Sequence, residues 1–528
     1  MTVQESNRIA LCIAIGFGLL AFLWGVMIPV GESPDEQPHI AYAEFLSSNF
    51  RLPVVSDTAQ FVQGEAVQPP LYYAMLAGLV RVAGFRNSLM RWVSNPDFDR
   101  TSVIGRANAY LNSETRKQSG PSAIFLYHLL RIPTIFFGVF TIWWTWLGLR
   151  ELKLGSPISL ILLAVWASTP QMTFMSGIVG NDVPAAALAA LFFWLFARGM
   201  CLEDQKTLVL SSFALAAALL TKNTMVPLWL GAVIVCLFNF RRTKLRIGMS
   251  AVVVIPVLLA GWSIVRGQLL LDQVMAVKVE TDRIIGISDG IAAYASSWLV
   301  STAKHFYHFS LGGIGVIGLN SILLPGYVYG LYIGIALIVL GIIWQVRPNS
   351  YMEWLREPYS PLLIGVFLLS AAAIYLFRET GDAMPGRHGL AYMPGLIAFS
   401  VAGVDRYRRA INSLTLPHAH TSFWSIVCGG GLVLSVIILA TDSIWLSWVA
   451  GIARNAGFGM PIAHYVSLAR TFLLLTAAAC AICLLWNLKG RSYFLNWNPT
   501  RKQIVLTVSA LYGVNLIILV FYIMRFYS

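Results

Sequence analysis

The chain has 528 residues, of which 57% are hydrophobic and only 12% are charged. With a mean hydropathy of +0.70 and apolar runs of membrane-spanning length from end to end, a soluble protein is excluded. The formal net charge of +13 indicates basic cytoplasmic loops and anionic lipid rather than nucleic-acid binding. The six cysteines lie in or beside apolar segments, so no disulfide framework is predicted.

Apolar segments predict an all-α polytopic protein with about thirteen transmembrane helices. The predicted spans are 9–30, 123–148, 157–176, 183–199, 207–221, 225–240, 247–265, 322–344, 360–377, 388–404, 423–440, 467–487 and 503–524. If the N-terminus lies in the cytoplasm, the basic loops at 150–153, 241–246, 406–409 and 489–502 all face inside, as the positive-inside rule requires. The opposite orientation would violate this rule at all four loops.

Two long hydrophilic stretches, about residues 31–122 and 266–321, are predicted on the outer face. The first contains an amphipathic segment at 68–84, which is too short to span and predicts a helix at the interface with its tyrosines at headgroup level. Neither stretch has a repeat or a low-complexity run, so both are expected to be ordered. We therefore expect residues 1–528 to form one transmembrane domain with no separate soluble domain.

The most conspicuous polar motif, SPDEQPH at residues 33–39, follows the first predicted span. On a helix, the side chains of Asp35, Glu36 and His39 could share one surface because they lie three and four positions apart. Glu36 also has a purely structural explanation, since it would complete a capping box with Ser33 at the start of a helix. Asp35 has no part in such a box, so we interpret Asp35 as functional.

Short polar turns at the outer ends of the predicted helices place further charges on the same face as Asp35. These turns and the second long stretch contain Asn181-Asp182, Lys222, Arg378, Arg387-His388, Lys304 and His305. Structural interpretations exist, because basic side chains near helix ends can snorkel to headgroups, histidines beside aromatic residues can be interfacial, and Asn181-Asp182 can cap a helix. The separation of basic loops inside from mixed charges outside nevertheless indicates a site on one face.

Five sequence elements follow one another over roughly the first four hundred residues. They are Pro34–His39, the QPPLYY segment at Gln68–Tyr73, Asn181-Asp182, Thr221-Lys222, and Gly386–Pro394. In this order they resemble the GT-C glycosyltransferases, most closely a bacterial branch sometimes described only as predicted membrane proteins, with His388 in place of the usual tyrosine. Their combination is more specific than any one of them.

The resemblance implies a GT-C-like helical bundle in the bacterial inner or plasma membrane, with its active site on the extracytoplasmic face. It implies transfer of a sugar, generally with inversion, from a polyprenyl-phosphate-linked donor to a lipid, glycan or protein acceptor. Some members of the superfamily use a divalent metal, so Mg²⁺, Mn²⁺ or Zn²⁺ could be held by Asp35, Glu36 and His39.

The residue types suit this chemistry, because a carboxylate can accept the proton of an attacking hydroxyl and cations can stabilise a departing phosphate. Asp35 and Glu36 are the candidate catalytic residues. Lys222, Arg378 and Arg387 are the candidate ligands of the donor phosphate. The remaining candidate substrate contacts are His39, Gln68, Tyr72, Asp182, Lys304, His305 and His388.

Two other classes of function remain open from the sequence. A transporter or lipid flippase would place ionisable groups within its spans and often has internal repeats, whereas the predicted spans have almost no acidic residues and no repeat is detected. An O-antigen ligase-like enzyme would use a pyrophosphate-linked glycan, but it would leave the acidic motif after the first span unexplained.

Overall fold

The computed structural model describes residues 1–54, 63–83, 91–96, 110–155, 157–279, 316–317, 322–323, 355–380, 386–412 and 500–527. Most of these residues are helical. The helices are α1 (Val3–Met27), α2 (Glu36–Asn49), α3 (Leu71–Val82), α4 (Asn112–Glu151), α5 (Pro157–Ala167), α6 (Pro170–Ser176), α7 (Asp182–Leu202), α8 (Gln205–Leu219), α9 (Val226–Asn239), α10 (Arg246–Val279), α11 (Ser360–Thr380), α12 (Met393–Asn412) and α13 (Arg501–Tyr527). Short 3-10 helices occur at Gln63–Val67, Asn223–Met225, Thr243–Leu245 and Gly386–Tyr392, and β1 (Val316–Ile317) pairs antiparallel with β2 (Ile322–Leu323).

Helix α1 illustrates how the sequence produces a membrane helix. A capping box starts it, since the backbone N–H of Glu5 donates to Thr2 Oγ1 at 3.2 Å and the N–H of Thr2 donates to Glu5 Oε2 at 2.8 Å. One face is buried in the protein, with Trp24 fully covered, whereas Leu19 is 63% exposed. Apolar side chains exposed along such a helix are expected to contact lipid.

Five helical segments within the described residues are long and apolar enough to cross a membrane. They are Val3–Met27, Asn112–Glu151, Asp182–Leu202, Thr243–Leu270 and Arg501–Val520, and the bent pair formed by α5 and α6 would be a sixth. The multi-pass helical architecture is therefore confirmed. The count of thirteen stays a prediction, because predicted spans 423–440 and 467–487 and most of 322–344 lie outside the described residues.

The central bundle is built by pairs of helices that lie one to three helices apart in the chain. Helix α4 packs along α7, α7 along α8, α8 along α10, and α9 along α11, while α1 packs against α4. Close approach depends on small residues, as expected inside a membrane. A Cβ added at Gly177 would lie 2.8 Å from the carbonyl oxygen of Ala21 and 2.7 Å from the backbone nitrogen of Gly25. The turn after α6 therefore rests directly on the backbone of α1.

The first hydrophilic stretch is anchored by a small hydrophobic core of its own. Helices α2 and α3 pack together, and Tyr42, Tyr73 and Leu76 are fully buried with Leu130 of α4 and Val179 before α7. The predicted helix at 68–84 is present as α3. Its tyrosines, Tyr72 and Tyr73, are buried against the bundle, and their placement at headgroup level stays a prediction.

Several predicted boundaries are wrong for identifiable physical reasons. Predicted span 157–176 bends by 62° between α5 and α6, because Pro170 disfavours a helical Thr169, which is extended at φ −63° and ψ 131°. Helix α10 continues to Val279, beyond the predicted start of the second long stretch at 266. The predicted span 388–404 begins with a 3-10 helix, and its α-helix starts only at Met393.

The two ends of the bundle carry different charges. At one end, the loop after α4 meets α7 where Arg198 Nη1 lies 2.9 Å from Glu151 Oε1, and Lys244 Nζ lies 3.6 Å from Glu203 Oε2. The basic segment 241–246 joins α9 to α10 at this end. Asp182 begins α7 at the opposite end, which also holds the turns described next.

Candidate functional site

The turn between α1 and α2 presents Asp35 to the site. Gly31 has φ +86°, which glycine adopts easily, and Asp35 has φ +58°. A left-handed residue other than glycine costs on the order of 1–3 kcal/mol and is often found at functional sites. Helix α2 starts at Glu36 without a side-chain cap. The predicted capping box from Ser33 is therefore wrong, because the left-handed backbone at Asp35 prevents an earlier helix start.

Asp35 forms an ion pair with Arg387, which lies 352 positions later in the chain. Nη2 of Arg387 donates to Asp35 Oδ2, and the arginine side chain is 6% exposed whereas the aspartate side chain is 46% exposed. Burial raises the pKa of Asp35, but the charge of Arg387, helped by His39 and Lys222, lowers it further, so its pKa lies below the ordinary value. Asp35 is thus an ionised carboxylate that is partly open to solvent.

Asp182 forms further ionic contacts next to the pair of Asp35 and Arg387. Its Oδ1 lies 2.9 Å from Lys222 Nζ and 3.3 Å from His388 Nδ1, and its Oδ2 lies 3.8 Å from Arg387 Nε. Lys222 also donates to the side-chain oxygen of Asn181 at 2.8 Å. Burial and the charge of Lys222 lower the pKa of His388, which is therefore neutral at pH 7.

We refer to Asp35, Asp182, Lys222 and Arg387 as the ionic cluster. Its two carboxylates balance its two cations, and three of its four side chains are at most 6% exposed. Because neutral His388 adds no charge, binding of an anion here requires one carboxylate to give up its cation. Asp35, the exposed member, is the group that can move into solvent.

A chain of hydrogen bonds extends from the ionic cluster towards α3. Asn181 Nδ2 donates to the hydroxyl of Tyr73 at 3.2 Å, and this hydroxyl donates to Glu65 Oε2 at 2.9 Å. His39 Nδ1 lies 2.9 Å from the same hydroxyl oxygen. Since the single tyrosine proton is given to Glu65, Nδ1 of His39 is the donor in this contact. His39 is thereby oriented beside Asp35 by Tyr73.

Glu36 does not take the catalytic role predicted for it. The side chain is fully buried, and its oxygens accept hydrogen bonds from Arg131 at 2.8 and 2.9 Å, from the hydroxyl of Tyr127 at 2.5 Å and from the N–H of Val179 at 2.9 Å. Burial raises the pKa of Glu36, but the charge of Arg131 together with the hydrogen bonds to the carboxylate lowers it further, so its pKa lies below the ordinary value. Both oxygens are therefore occupied by protein donors and face away from Arg387.

The residues predicted to bind a metal do not fit that site. Glu36 has no oxygen available for a cation, and His39 Nδ1 is bound to Tyr73. In the described part of the chain, no group of three or more His, Cys, Asp or Glu side chains could hold a metal ion. Glu36 diverges from Asp35 and His39 because its side chain enters the bundle to meet Arg131, whereas Asp35 lies in the turn before α2.

The other predicted substrate contacts have different positions. The hydroxyl of Tyr72 accepts from the N–H of Gly180 at 3.2 Å and lies 2.9 Å from Thr134 Oγ1, so it supports the turn before α7. The side-chain oxygen of Gln68 is buried without a hydrogen-bond partner among the described residues. The side chain of Arg378, together with Lys304 and His305, lies outside the described residues.

Sequence reasoning missed the side chains that support the site, notably Tyr73, Glu65, Tyr127 and Arg131. Arg131 had a usable signal, because a charged residue inside predicted span 123–148 is costly unless it has a partner. Tyr73 lies in the QPPLYY element but was not singled out as a support, and Tyr127 carried no such signal. Their partners come from segments far away in the chain, and only the fold brings them together.

The central part of the chain matches a known family. Residues 127–264 match the model of the family described as dolichyl-phosphate-mannose-protein mannosyltransferase. This segment runs from α4 into α10 and includes Arg131, Asp182 and Lys222. No curated protein sequence matches the chain.

Three solved structures are similar to the chain at 12% sequence identity. ArnT from Cupriavidus metallidurans matches in the apo state over 97% of this chain and 75% of its own (TM-score 0.44), and bound to undecaprenyl phosphate over 99% and 77% (TM-score 0.48). The oligosaccharyltransferase of Archaeoglobus fulgidus, tethered to an acceptor peptide containing the NVT sequon, matches over 81% of this chain and 53% of its own (TM-score 0.37). Because each TM-score is below 0.5, no conclusion about this chain rests on these likenesses.

The family match covers Asp182 at the start of α7 and Lys222 in the turn after α8, two of the positions whose motifs resemble GT-C enzymes in the sequence. The architecture is that of a multi-pass helical membrane protein. Within this architecture, residues 127–264 are similar to the dolichyl-phosphate-mannose-protein mannosyltransferase family.

Proposed function

We propose that the chain transfers a sugar from a polyprenyl-phosphate-linked donor to an acceptor hydroxyl or amide of a lipid, glycan or protein, with inversion. The reaction is assigned to the ionic cluster. The observation that carries this proposal is the contact between a partly exposed aspartate, Asp35, and a buried arginine, Arg387, beside a second buried cation, Lys222. This arrangement supplies both a base and ligands for a leaving phosphate.

The donor phosphate is proposed to bind Arg387 in place of Asp35. A guanidinium group can hold two phosphate oxygens at once, and Lys222 lies on the other side of Asp182 from Arg387. In the free enzyme Asp35 is ion-paired with Arg387, so the donor phosphate and Asp35 compete for the same cation. Binding of the donor releases Asp35, and the pKa of this carboxyl then rises towards its ordinary value.

The released carboxylate is suited to act as the base. The oxygen or nitrogen of the acceptor attacks the anomeric carbon, and its proton passes to Asp35. The bond between that carbon and the phosphate oxygen breaks, and the polyprenyl phosphate leaves with the electron pair. Arg387 and Lys222 stabilise the charge that develops on the phosphate, because they lie in a site with little solvent.

The remaining predicted residues enter as proposals for binding the two substrates. Asp182 holds Lys222 and Arg387 in place for the donor, with His388 against the same carboxylate, and His39 lies beside Asp35 where the acceptor must approach. Gln68 has a buried side-chain oxygen suited to a sugar hydroxyl. Three further contacts are carried over from the sequence prediction: Arg378 on the donor side, and Lys304 and His305 on the acceptor side.

We also propose that residues 1–528 form one transmembrane domain with a cytoplasmic N-terminus and an extracytoplasmic site. The separation of the basic loops from the ionic cluster at opposite ends of the bundle supports this orientation. Cysteine labelling from either side of the membrane tests it, with cysteines introduced at exposed Glu203 and at Phe50. Labelling of position 50 from the cytoplasm would contradict the proposed side.

The activity is tested with purified protein in lipid, a panel of polyprenyl-phosphate sugars and extracts of bacterial envelope as acceptor. Wild type is expected to transfer sugar from at least one donor, and Asp35→Asn is expected to be inactive while it still folds and melts cooperatively. Equal activity of the folded variant would show that Asp35 is not the base. Movement of intact lipid-linked sugar across the bilayer without transfer would favour a flippase instead.

A further inference from the structure

The strongest unexplained feature outside the ionic cluster is the buried ion pair between Glu36 and Arg131. Arg131 is 1% exposed and Glu36 is fully buried. The glutamate accepts four hydrogen bonds, two from Arg131 and one each from the Tyr127 hydroxyl and the N–H of Val179. A buried pair with so many partners is costly to assemble, and it often specifies geometry more than it adds stability.

The partners of this pair belong to four separate segments. Nη1 of Arg131 donates to the carbonyl oxygens of Gly25 at 2.5 Å and Ile28 at 3.0 Å, which lie at the end of α1. The hydroxyl of Tyr127 accepts from the N–H of Gly31 in the turn before α2 at 3.1 Å. The end of α1, the following turn, α4 and the turn before α7 are therefore joined at one point.

Both carboxylates of the ionic cluster are attached directly to this junction. Asp35 immediately precedes Glu36, and Asp182 follows Val179 by three residues in a turn that Tyr72 also holds through Gly180. The two aspartates contact different nitrogens of Arg387, Asp35 at Nη2 and Asp182 at Nε. The distance between them is therefore determined mainly by how Glu36 joins the start of α2 to Val179.

We propose that Glu36 is a positioning residue, which together with Arg131 and Tyr127 sets the placement of Asp35 and Asp182 about Arg387. Glu36 itself touches neither substrate. This inference rests on the proposed function, since the placement matters for transfer. It also explains how Asp35 keeps a left-handed backbone, because the segments on both sides of it are held, at Gly31 by Tyr127 and at Glu36 by four donors.

Two variants separate positioning from stability. Glu36→Gln keeps the shape and one acceptor oxygen but removes the charge that pairs with Arg131. The double variant Glu36→Met with Arg131→Met replaces the pair by apolar side chains of similar size, an exchange that often leaves stability unchanged or raised. The matched control is Glu151→Met with Arg198→Met, an ion pair at the other end of the bundle.

The experiment measures kcat and the donor KM for each variant, together with its melting temperature. A misplacement of about 1 Å in a catalytic constellation can lower the rate about 100-fold, so we expect kcat to fall about 10- to 100-fold in both Glu36 variants. The donor KM is expected to change less than about threefold, because Arg387 and Lys222 remain. The Glu151/Arg198 control is expected to keep wild-type kcat.

An unchanged kcat in a folded Glu36→Gln, whatever its melting temperature, would overturn the positioning role while leaving the proposed transferase function in place. Failure of both Glu36 variants to fold would likewise overturn it, since the pair would then serve stability. If the wild type has no transferase activity with any donor, the proposed function fails and the positioning role fails with it.

Discussion

Removal of the Asp35 carboxylate should tighten binding of the leaving group while it abolishes transfer. In the free enzyme Asp35 holds Arg387, and a phosphate must replace it. Because Asp35 is 46% exposed, its pair with Arg387 is treated as a mostly solvated one, worth about 1 kcal/mol or less. Loss of this competition therefore predicts up to about fivefold tighter binding of a polyprenyl phosphate.

The assay is isothermal titration of a short-chain polyprenyl phosphate into detergent-solubilised wild type, Asp35→Asn and Asp35→Ala. Asparagine can still accept a neutral hydrogen bond from Arg387, so the alanine variant should bind more tightly than the asparagine variant. Asp204→Asn is the matched control, since it removes an equal charge at the start of α8. Its affinity should equal that of the wild type.

Weaker binding by both Asp35 variants would refute this reasoning, because it would make Asp35 a ligand of the donor, direct or through a cation, instead of a competitor. Equal binding by all variants would mean that phosphate does not use Arg387. Only tighter binding combined with lost transfer agrees with a base that the donor releases. Melting temperatures exclude misfolding as the cause of lost transfer.

Three further predictions concern the same site and its support. Arg387→Lys should weaken polyprenyl-phosphate binding about tenfold in the same titration, because lysine cannot make a forked contact; full affinity would contradict the phosphate role. The lowered pKa of Asp35 keeps it ionised below its ordinary range, so kcat/KM should show no acidic loss between pH 8 and 5, and a fall across that range would exclude it as the base. Gly177→Ala should lower stability by about 1–3 kcal/mol in thermal melting, because the added methyl group meets the backbone of α1, and an unchanged melting temperature would contradict this packing.

The same pKa shift of Asp35 has a consequence for stability. Its pKa in the folded protein is lower than in the unfolded chain, so the ionised carboxylate stabilises the fold above the ordinary pKa of 3.8. This contribution is lost as the pH falls through the folded-state value. Asp35→Asn should therefore show a smaller loss of melting temperature than wild type when the pH is lowered from 5 to 3.

Much of the fold follows from local sequence because membrane helices are locally determined. An apolar segment of sufficient length must satisfy its own backbone hydrogen bonds in lipid. Composition alone therefore locates α7 and α13 to within three residues at each end, and α1 to within six. Breaks within a helix are harder to predict from the sequence. Pro170 bends a predicted span, and Gly120 (φ 79°, ψ 166°) separates the first turns of α4 from its spanning part, close to the predicted boundary at 122.

The candidate site was likewise predictable only in part. The sequence by itself determined which outer turns hold polar groups, and it singled out Asp35, Asp182, Lys222 and Arg387. Only the tertiary structure decided which of these groups meet, because a pair such as Asp35 and Arg387 joins segments 352 residues apart.

Glu36 shows most clearly what could not be predicted from the sequence. Adjacent carboxylates look equivalent in a sequence, yet the left-handed turn at Asp35 directs one towards Arg387 while the next residue enters the bundle to meet Arg131. Burial and hydrogen-bond partners distinguish the two side chains, and both depend on distant helices. The membrane class was therefore determined by composition, whereas the division of roles between neighbouring residues was decided by packing, since contact energies exist only where the fold brings groups together.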